Sequence, residues 1–302
     1  MLLFDTIRKT EYCTSVALGF FDGVHKGHRD VIKKAKAFSS PTCPVAVLTF
    51  KNSPALTFTG KEKPLLTTNE QKFELFESLG MDIVFCIDFD DVKDMTAQQF
   101  VSEVLYKQLN AKFVTTGFNY HFGKGGTSDA DDMLSLCKEL GIQANKCDPV
   151  MYENAPVSST RIRECISAGE IESANEMLCY DFAVREQIVG GNHIGRKLDS
   201  PTINQHLTGG IVTPKFGVYA TKVTVDGNTY IGATNIGTHP TVGGDTPVCE
   251  THLLDFESGD LYGKIAHTKL EKFIRPEQKF DSIAELKAQI DKDKQQILNY
   301  FK

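Results

Sequence analysis

The sequence predicts an α/β chain: a doubly wound parallel sheet, then a small antiparallel β-barrel with a C-terminal helix. Three observations predict it. Apolar strand-like runs alternate with amphipathic helical segments over residues 16–147, the pattern of a parallel sheet covered on both faces. Past residue 181 that alternation stops, and short β-rich runs with Gly, Thr and Pro take over. The chain returns to helical spacing over residues 282–301. Its 302 residues suit two domains, expected at 1–181 and 182–302.

Taken in order, Val16-Ala17-Leu18 reads as a strand that runs into a glycine-rich turn at 19–28. A helix follows at once, with Val31, Ile32, Ala35 and Phe38 on one face. Strands are expected at 45–50, 83–87, 112–116 and 142–147. Helices are expected at 68–79, 96–109 and 128–140. Thr68 with Gln71, and Thr96 with Gln99, stand at capping-box spacing, and Gly80 follows the end of its helix. In the second half, strands are expected at 183–190, 217–225, 229–236 and 249–256, with Asp226-Gly227 as a hairpin turn. In the last helix Ile283, Leu286, Ile290, Ile297 and Phe301 share a face, and Asp281 is the expected cap.

Composition narrows the function. The first 181 residues carry the whole net charge of −6 and the remainder is neutral, so neither half has the basic footprint of a nucleic-acid binder. No apolar run reaches the length of a membrane span, and the start lacks a signal-peptide core. Cysteines at 13, 43, 86, 137, 147, 165, 179 and 249 form no Cys-x-x-Cys pair, which suits reduced thiols in the cytoplasm. Weak self-association is carried as an expectation. With excess acid, a phosphate-rich ligand needs local donors and a metal ion.

Ligands of doubly wound sheets sit beyond the carboxyl ends of the strands, where 19–28, 51–59 and 117–128 fall. Glycines at 19, 23 and 27 allow close backbone approach, and the helix that follows offers free N–H groups to a phosphate. His25 and His28 add donors that can stabilise charge as a phosphoanhydride breaks. The run is neither Gly-x-Gly-x-x-Gly nor a Walker loop. As a metal pair, the two histidines lack a third ligand.

Gly19-Phe20-Phe21-Asp22-Gly23-Val24-His25-Lys26-Gly27-His28 resembles the signature of the HxGH nucleotidyltransferase superfamily. In particular it resembles the adenylyltransferase half of bacterial bifunctional riboflavin kinase/FAD synthetases. On that resemblance His25 and His28 are catalytic, and Gly19, Phe20, Asp22 and Gly23 contact the nucleotide. Gly117-Phe118-Asn119-Tyr120-His121-Phe122-Gly123 resembles a substrate loop of the family, which makes Asn119 flavin-binding. Val157-Ser158-Ser159-Thr160-Arg161-Ile162-Arg163 resembles its Ser-Ser-Thr-x-x-Arg motif, which assigns Ser159, Thr160 and Arg163 to phosphate.

In the second half, residues 195–204 resemble the riboflavin kinase motif. This places Gly195 and Arg196 at the nucleotide, and Thr202 and Asn204 as hard oxygen ligands for magnesium. Glu250, in Glu250-Thr251-His252, is by resemblance the base that takes a proton from the substrate hydroxyl. Asn235-Ile236-Gly237 and Arg275-Pro276-Glu277 also match the family, the latter as a structural lead into the last helix. Three departures stand out. Lys51-Asn52-Ser53 replaces a histidine-bearing run, Asp199-Ser200 replaces Gly-Phe, and His239 stands where an arginine is common. Lys51 reads either as a substitute phosphate donor or as a solvated loop lysine.

The resemblance implies ATP-dependent phosphorylation of riboflavin to FMN, then adenylylation of FMN to FAD with release of pyrophosphate. ATP is the co-substrate, Mg²⁺ the cofactor, and riboflavin, FMN, ATP and FAD the small-molecule partners. No nucleic acid or membrane takes part. The rival expectation is a flavin- or nucleotide-binding protein lacking one or both activities. If one is lost, the kinase is expected to be the weaker.

Overall fold

The computed structural model describes residues 1–60, 63–190, 202–207, 210–238, 246–256 and 259–302, without the side chains of 58 and 59. The chain divides into two compact units, Met1–Ser159 and Thr160–Lys302.

The first unit is built on a sheet of β1 (Leu2–Phe4), β2 (Thr14–Leu18), β3 (Val45–Phe50), β4 (Ile83–Ile87), β5 (Ala111–Gly117) and β6 (Gln143–Cys147). Their order is β1-β4-β3-β2-β5-β6, and every pairing is parallel. Strands β2, β3 and β4 are buried along their whole length, because both faces are covered. Val16, Leu18, Leu48 and Phe85 face one core, while Ala17, Val47 and Val84 face the other. The helices are α1 (Lys26–Ala37), α2 (Pro54–Thr59), α3 (Asn69–Ser78), α4 (Ala97–Gln99, continued by wider turns over Phe100–Gln108) and α5 (Ala130–Glu139).

Local chemistry sets these ends. Both capping boxes form, Thr68 with Gln71 and Thr96 with Gln99. Asp129 caps α5, so that helix begins after residue 128. From β2 the chain winds one way through β3 and β4 and the other way through β5 and β6. The switch point therefore lies between β2 and β5.

A small hairpin of β7 (Met151–Tyr152) and β8 (Ala155–Pro156) leads to α6 (Ser159–Ala168) and α7 (Ile171–Leu178). The second sheet comprises β9 (Ala183–Gln187), β10 (Thr202–His206), β11 (Gly217–Val225), β12 (Asn228–Thr238), β13 (Pro247–Leu253) and β14 (Ile265–Pro276), in the order β10-β13-β12-β11-β14-β9. Val189 N–H donates to the Asn204 carbonyl at 2.8 Å and joins the two edges into a barrel. Asp226 and Gly227 take positive φ of 49° and 82°, as a tight primed hairpin requires.

Two expectations for the last helix, α8 (Ile283–Tyr300), are corrected. Ser282, not Asp281, is the cap and accepts from Glu285 N–H at 3.2 Å. The proposed apolar face is only partly used: Ile297 is buried, but Ile283 is 73% exposed. The anchor is instead a bidentate ion pair. Arg275 on β14 donates through Nε and Nη2 to Asp293, whose second oxygen also accepts from Gln289 at 2.7 Å.

Candidate active sites

The first site forms at the carboxyl end of β2. Three residues of the loop take positive φ: Phe21 at 58°, Gly23 at 79° and Val24 at 38°, which is strained for the two that are not glycine. Phe21 and Val24 are buried, so core packing enforces the strained path. Asp22 locks it from below. Its carboxylate accepts from Leu66 N–H at 2.8 Å and Thr67 N–H at 3.4 Å, while the Thr67 hydroxyl receives Gly23 N–H at 3.2 Å. This buried side chain thus fastens the loop to the chain before α3.

The lock presents the imidazoles. His25 is the N-cap of α1, its Nδ1 accepting from His28 N–H at 3.3 Å. A neutral ring that accepts at Nδ1 carries its proton on Nε2, so the cap fixes His25 as a donor there. The two rings stack at 3.6 Å with 15° between planes. Gly27 permits this, since a side chain there would press on the His25 ring at 3.3 Å. His28 rests edge-on against Phe21, and its Nδ1 is buried without a hydrogen-bond partner. Burial first, then His25 and the charge of Lys72, holds its protonation well below the ordinary 6.5, so His28 is neutral at pH 7.

Other assigned residues take distinct places. The Ser159 hydroxyl donates to the Asp22 carbonyl at 3.0 Å and ties the start of α6 to the imidazole loop. Arg163 follows one turn later on the same face of α6, and Thr160 is exposed beside Ser159. Gly19 lies directly over the Phe21 ring, and the Phe20 carbonyl accepts from Thr49 Oγ1 at 2.9 Å. Asn119 is exposed on the turn after β5, across the switch point. Its loop is rooted by Tyr120 and Phe122, stacked at 5.9 Å. Lys51 pairs with Asp88 at 2.9 Å, which raises its proton affinity.

Sequence reasoning missed Lys72. It lies on α3, is 3% exposed, donates to the Phe50 carbonyl at 3.2 Å, and sits 4.9 Å from the Phe20 ring centroid.

The second site lies across the barrel strands. Register sets Asn204 of β10 opposite Glu250 of β13, and Glu250 opposite Asn235 of β12. Thr202, two residues before Asn204, shares its face, and its hydroxyl donates to Glu250 at 2.9 Å. Asn204 is buried. On the alternate, inner face a buried hydroxyl chain joins Thr221, Thr234 and Thr251 at 2.8 Å per link. Gln205 bridges Glu186, Ala266 and Thr268 there. These satisfied interior groups fix the strand register that brings Glu250 to Thr202. A threonine hydroxyl whose hydrogen is given to Glu250 keeps its lone pairs free, and an amide oxygen such as that of Asn204 is likewise a hard donor. Gly195, Arg196, Asp199, Ser200 and His239 lie outside the described residues.

A doubly wound sheet with an imidazole pair at its switch point, joined in one chain to a barrel with a hydroxyl–carboxylate pair, defines a two-site phosphoryl- and nucleotidyl-transferase. The family model for FAD synthetase matches residues 7–161, and that for riboflavin kinase matches 178–301. Curated relatives that match the chain carry the name bifunctional riboflavin kinase/FMN adenylyltransferase. The one from Listeria monocytogenes is 35% identical over 291 residues, covering 95% of this chain and 92% of the relative. The one from Escherichia coli K12 is 35% identical over 290 residues, with the same coverage. A Streptococcus pneumoniae crystal structure described as a macrolide-efflux protein superposes with a TM-score of 0.89 at 28% identity, over 99% of each chain. The present chain belongs to the bifunctional riboflavin kinase/FMN adenylyltransferase family. Among the described residues, no helix is long and apolar enough to cross a membrane.

Proposed function

We propose the following division of labour for a bifunctional enzyme that phosphorylates riboflavin to FMN and adenylylates FMN to FAD. Residues 182–302 form the kinase. Glu250 takes the proton of the ribityl 5′-hydroxyl as its oxygen bonds to the γ-phosphorus of ATP, and ADP leaves. Thr202 and Asn204 would hold a magnesium ion, which neutralises developing phosphate charge when bound. Residues 1–181 form the adenylyltransferase. An oxygen of the FMN phosphate bonds to the α-phosphorus of ATP, the bond to the β-phosphate oxygen breaks, and pyrophosphate leaves. This nucleophile is already anionic and needs no strong base. His25 and His28 donate hydrogen bonds to the triphosphate, whose charge grows at the leaving group. Ser159, Thr160 and Arg163 bind phosphate oxygens, and Asn119 positions the flavin.

The observation that carries this reading is the conjunction, in family order, of two clusters: stacked imidazoles 3.6 Å apart on one unit and Thr202–Glu250 at 2.9 Å on the other. The rival binding protein without catalysis has less support, because both clusters are intact. Incubation with riboflavin, ATP and Mg²⁺, followed by chromatography of the flavins, tests the proposal. FMN and FAD should both form, with ADP and pyrophosphate. Bound but unconverted riboflavin would return the rival.

A further inference from the structure

Lys72 combines features that packing alone does not explain. Its ammonium is buried, yet its hydrogen bonding is incomplete. Of three donors, one meets the Phe50 carbonyl at 3.2 Å, and the ammonium lies over the Phe20 ring, 4.9 Å from its centroid. Among the described residues, no carboxylate stands within ion-pair distance of it. The Asp22 carboxylate accepts from two backbone amides, and burial pushes the Cys86 thiol up, so it supplies no thiolate. A buried ammonium with so little compensation is unfavourable, and an apolar side chain would fit α3 better. Lys72 is placed where an anion would complete it. Phe50 ends β3, and Phe20 follows the end of β2, so the ammonium sits at the carboxyl ends of the two strands beside the imidazole loop. One helical turn on, Phe76 packs on Phe21, which packs on His28.

We propose that Lys72 is a further positioning residue of the adenylyl-transfer site, its buried ammonium supplying the fixed positive charge toward which the nucleotide triphosphate is drawn. The inference rests on the assignment of His25 and His28 to that site. Electrostatics agree with it. Burial lowers the proton affinity of Lys72, partly offset by Cys86 and Asp22, and its charge helps to keep His28 uncharged. The groups facing His28 are His25 from the start of α1 and Lys72 from α3, with Asp22 in the loop and Cys86 on β4 near Lys72. A neutral His28 offers the polyphosphate a hydrogen bond, while Lys72 offers the charge. The binding roles are thus divided between an imidazole and a lysine that the signature run does not contain.

The test compares Lys72→Met with Lys72→Arg in the full-length protein. With methionine, KM for ATP in FAD formation should rise at least about tenfold, the scale of one charged hydrogen bond. The His28 ring resonance should titrate closer to the ordinary range, FMN formation should be unchanged, and the thermal midpoint should hold or rise as a buried charge is removed. Arginine should keep the His28 titration low. An unchanged KM for ATP with an unmoved His28 titration in the methionine variant overturns the proposal. The unaltered protein gives a test free of folding defects. The Lys72 Cε resonance should titrate below the ordinary lysine range and move back up when a non-hydrolysable ATP analogue is added. A resonance indifferent to the nucleotide overturns the proposal as well. His28→Ala separates the two levels: if it leaves FAD formation intact, the site assignment fails, whereas its loss beside a normal Lys72→Met protein removes only the lysine's role.

Discussion

The two sites are made by opposite means. At the parallel sheet, the proposed site resides in a loop. A strained turn after β2 is held by Asp22 and buried phenylalanines, and its side chains are close in sequence. On the barrel, the proposed site resides in register. Thr202, Asn204, Asn235 and Glu250 come from three strands and meet only because a buried ladder of hydroxyls and Gln205 sets the pairing. A loop site is therefore sensitive to its anchors, whereas a register site is sensitive to whatever holds the barrel together.

The largest stability effect is expected from the barrel. Arg275→Met leaves Asp293, 4% exposed, as a buried charge without its guanidinium. Breaking such a pair from one side costs about 3–5 kcal/mol. Thermal unfolding should show this loss, with FMN formation failing at a lower temperature than FAD formation from supplied FMN. Equal loss of both activities would contradict an anchor that acts on the barrel alone. A smaller effect is expected at the loop. Asp22→Ala removes the acceptor of two buried amides, worth about 1–3 kcal/mol for the groups left unsatisfied. FAD formation should fall much further than stability, because the imidazoles lose their platform, and the kinase rate should stay.

These outcomes bear on what the sequence made legible. The imidazole loop was readable because its residues are contiguous and glycine marks the turn. The capping boxes were readable for the same reason. Strand β10 and strand β14, the longest, were not. In β14 the buried Ala266, Thr268 and Leu270 alternate with charged residues, a faint pattern, and β10 follows a stretch without alternation. Lys72 was missed because a lysine in an amphipathic helix reads as a surface residue, and only tertiary packing buries it. Ile283 was overread, since helical spacing does not tell which apolar residues find a partner. Ile283 stays exposed, while an Arg–Asp pair further along fixes the helix.

Next in size is a pH effect. His28 is held below its ordinary 6.5 in the folded protein, so the unfolded chain binds more protons there as pH falls. That group's contribution to stability is therefore full above 6.5 and is lost as pH drops below it. The acid limb of FAD formation should fall below pH 6.5, and His28→Ala should remove this share of the acid loss of stability. An acid limb at or above 6.5 would contradict a neutral, buried His28. The smallest effect is expected at Lys51. Its pair with Asp88 is partly exposed, so Lys51→Ala should leave both stability and KM for ATP near their starting values. A large rise in KM would restore it as the phosphate donor.

The most direct test is product-resolved. Supply riboflavin, ATP and Mg²⁺ to folded His28→Ala and Glu250→Gln proteins, and separate the flavins. The first should accumulate FMN, with FAD formation reduced about 10²–10³-fold, the scale of a lost transition-state donor. The second should form no FMN, yet make FAD when FMN is given. If either single change stops both steps, the two clusters are not separate active sites.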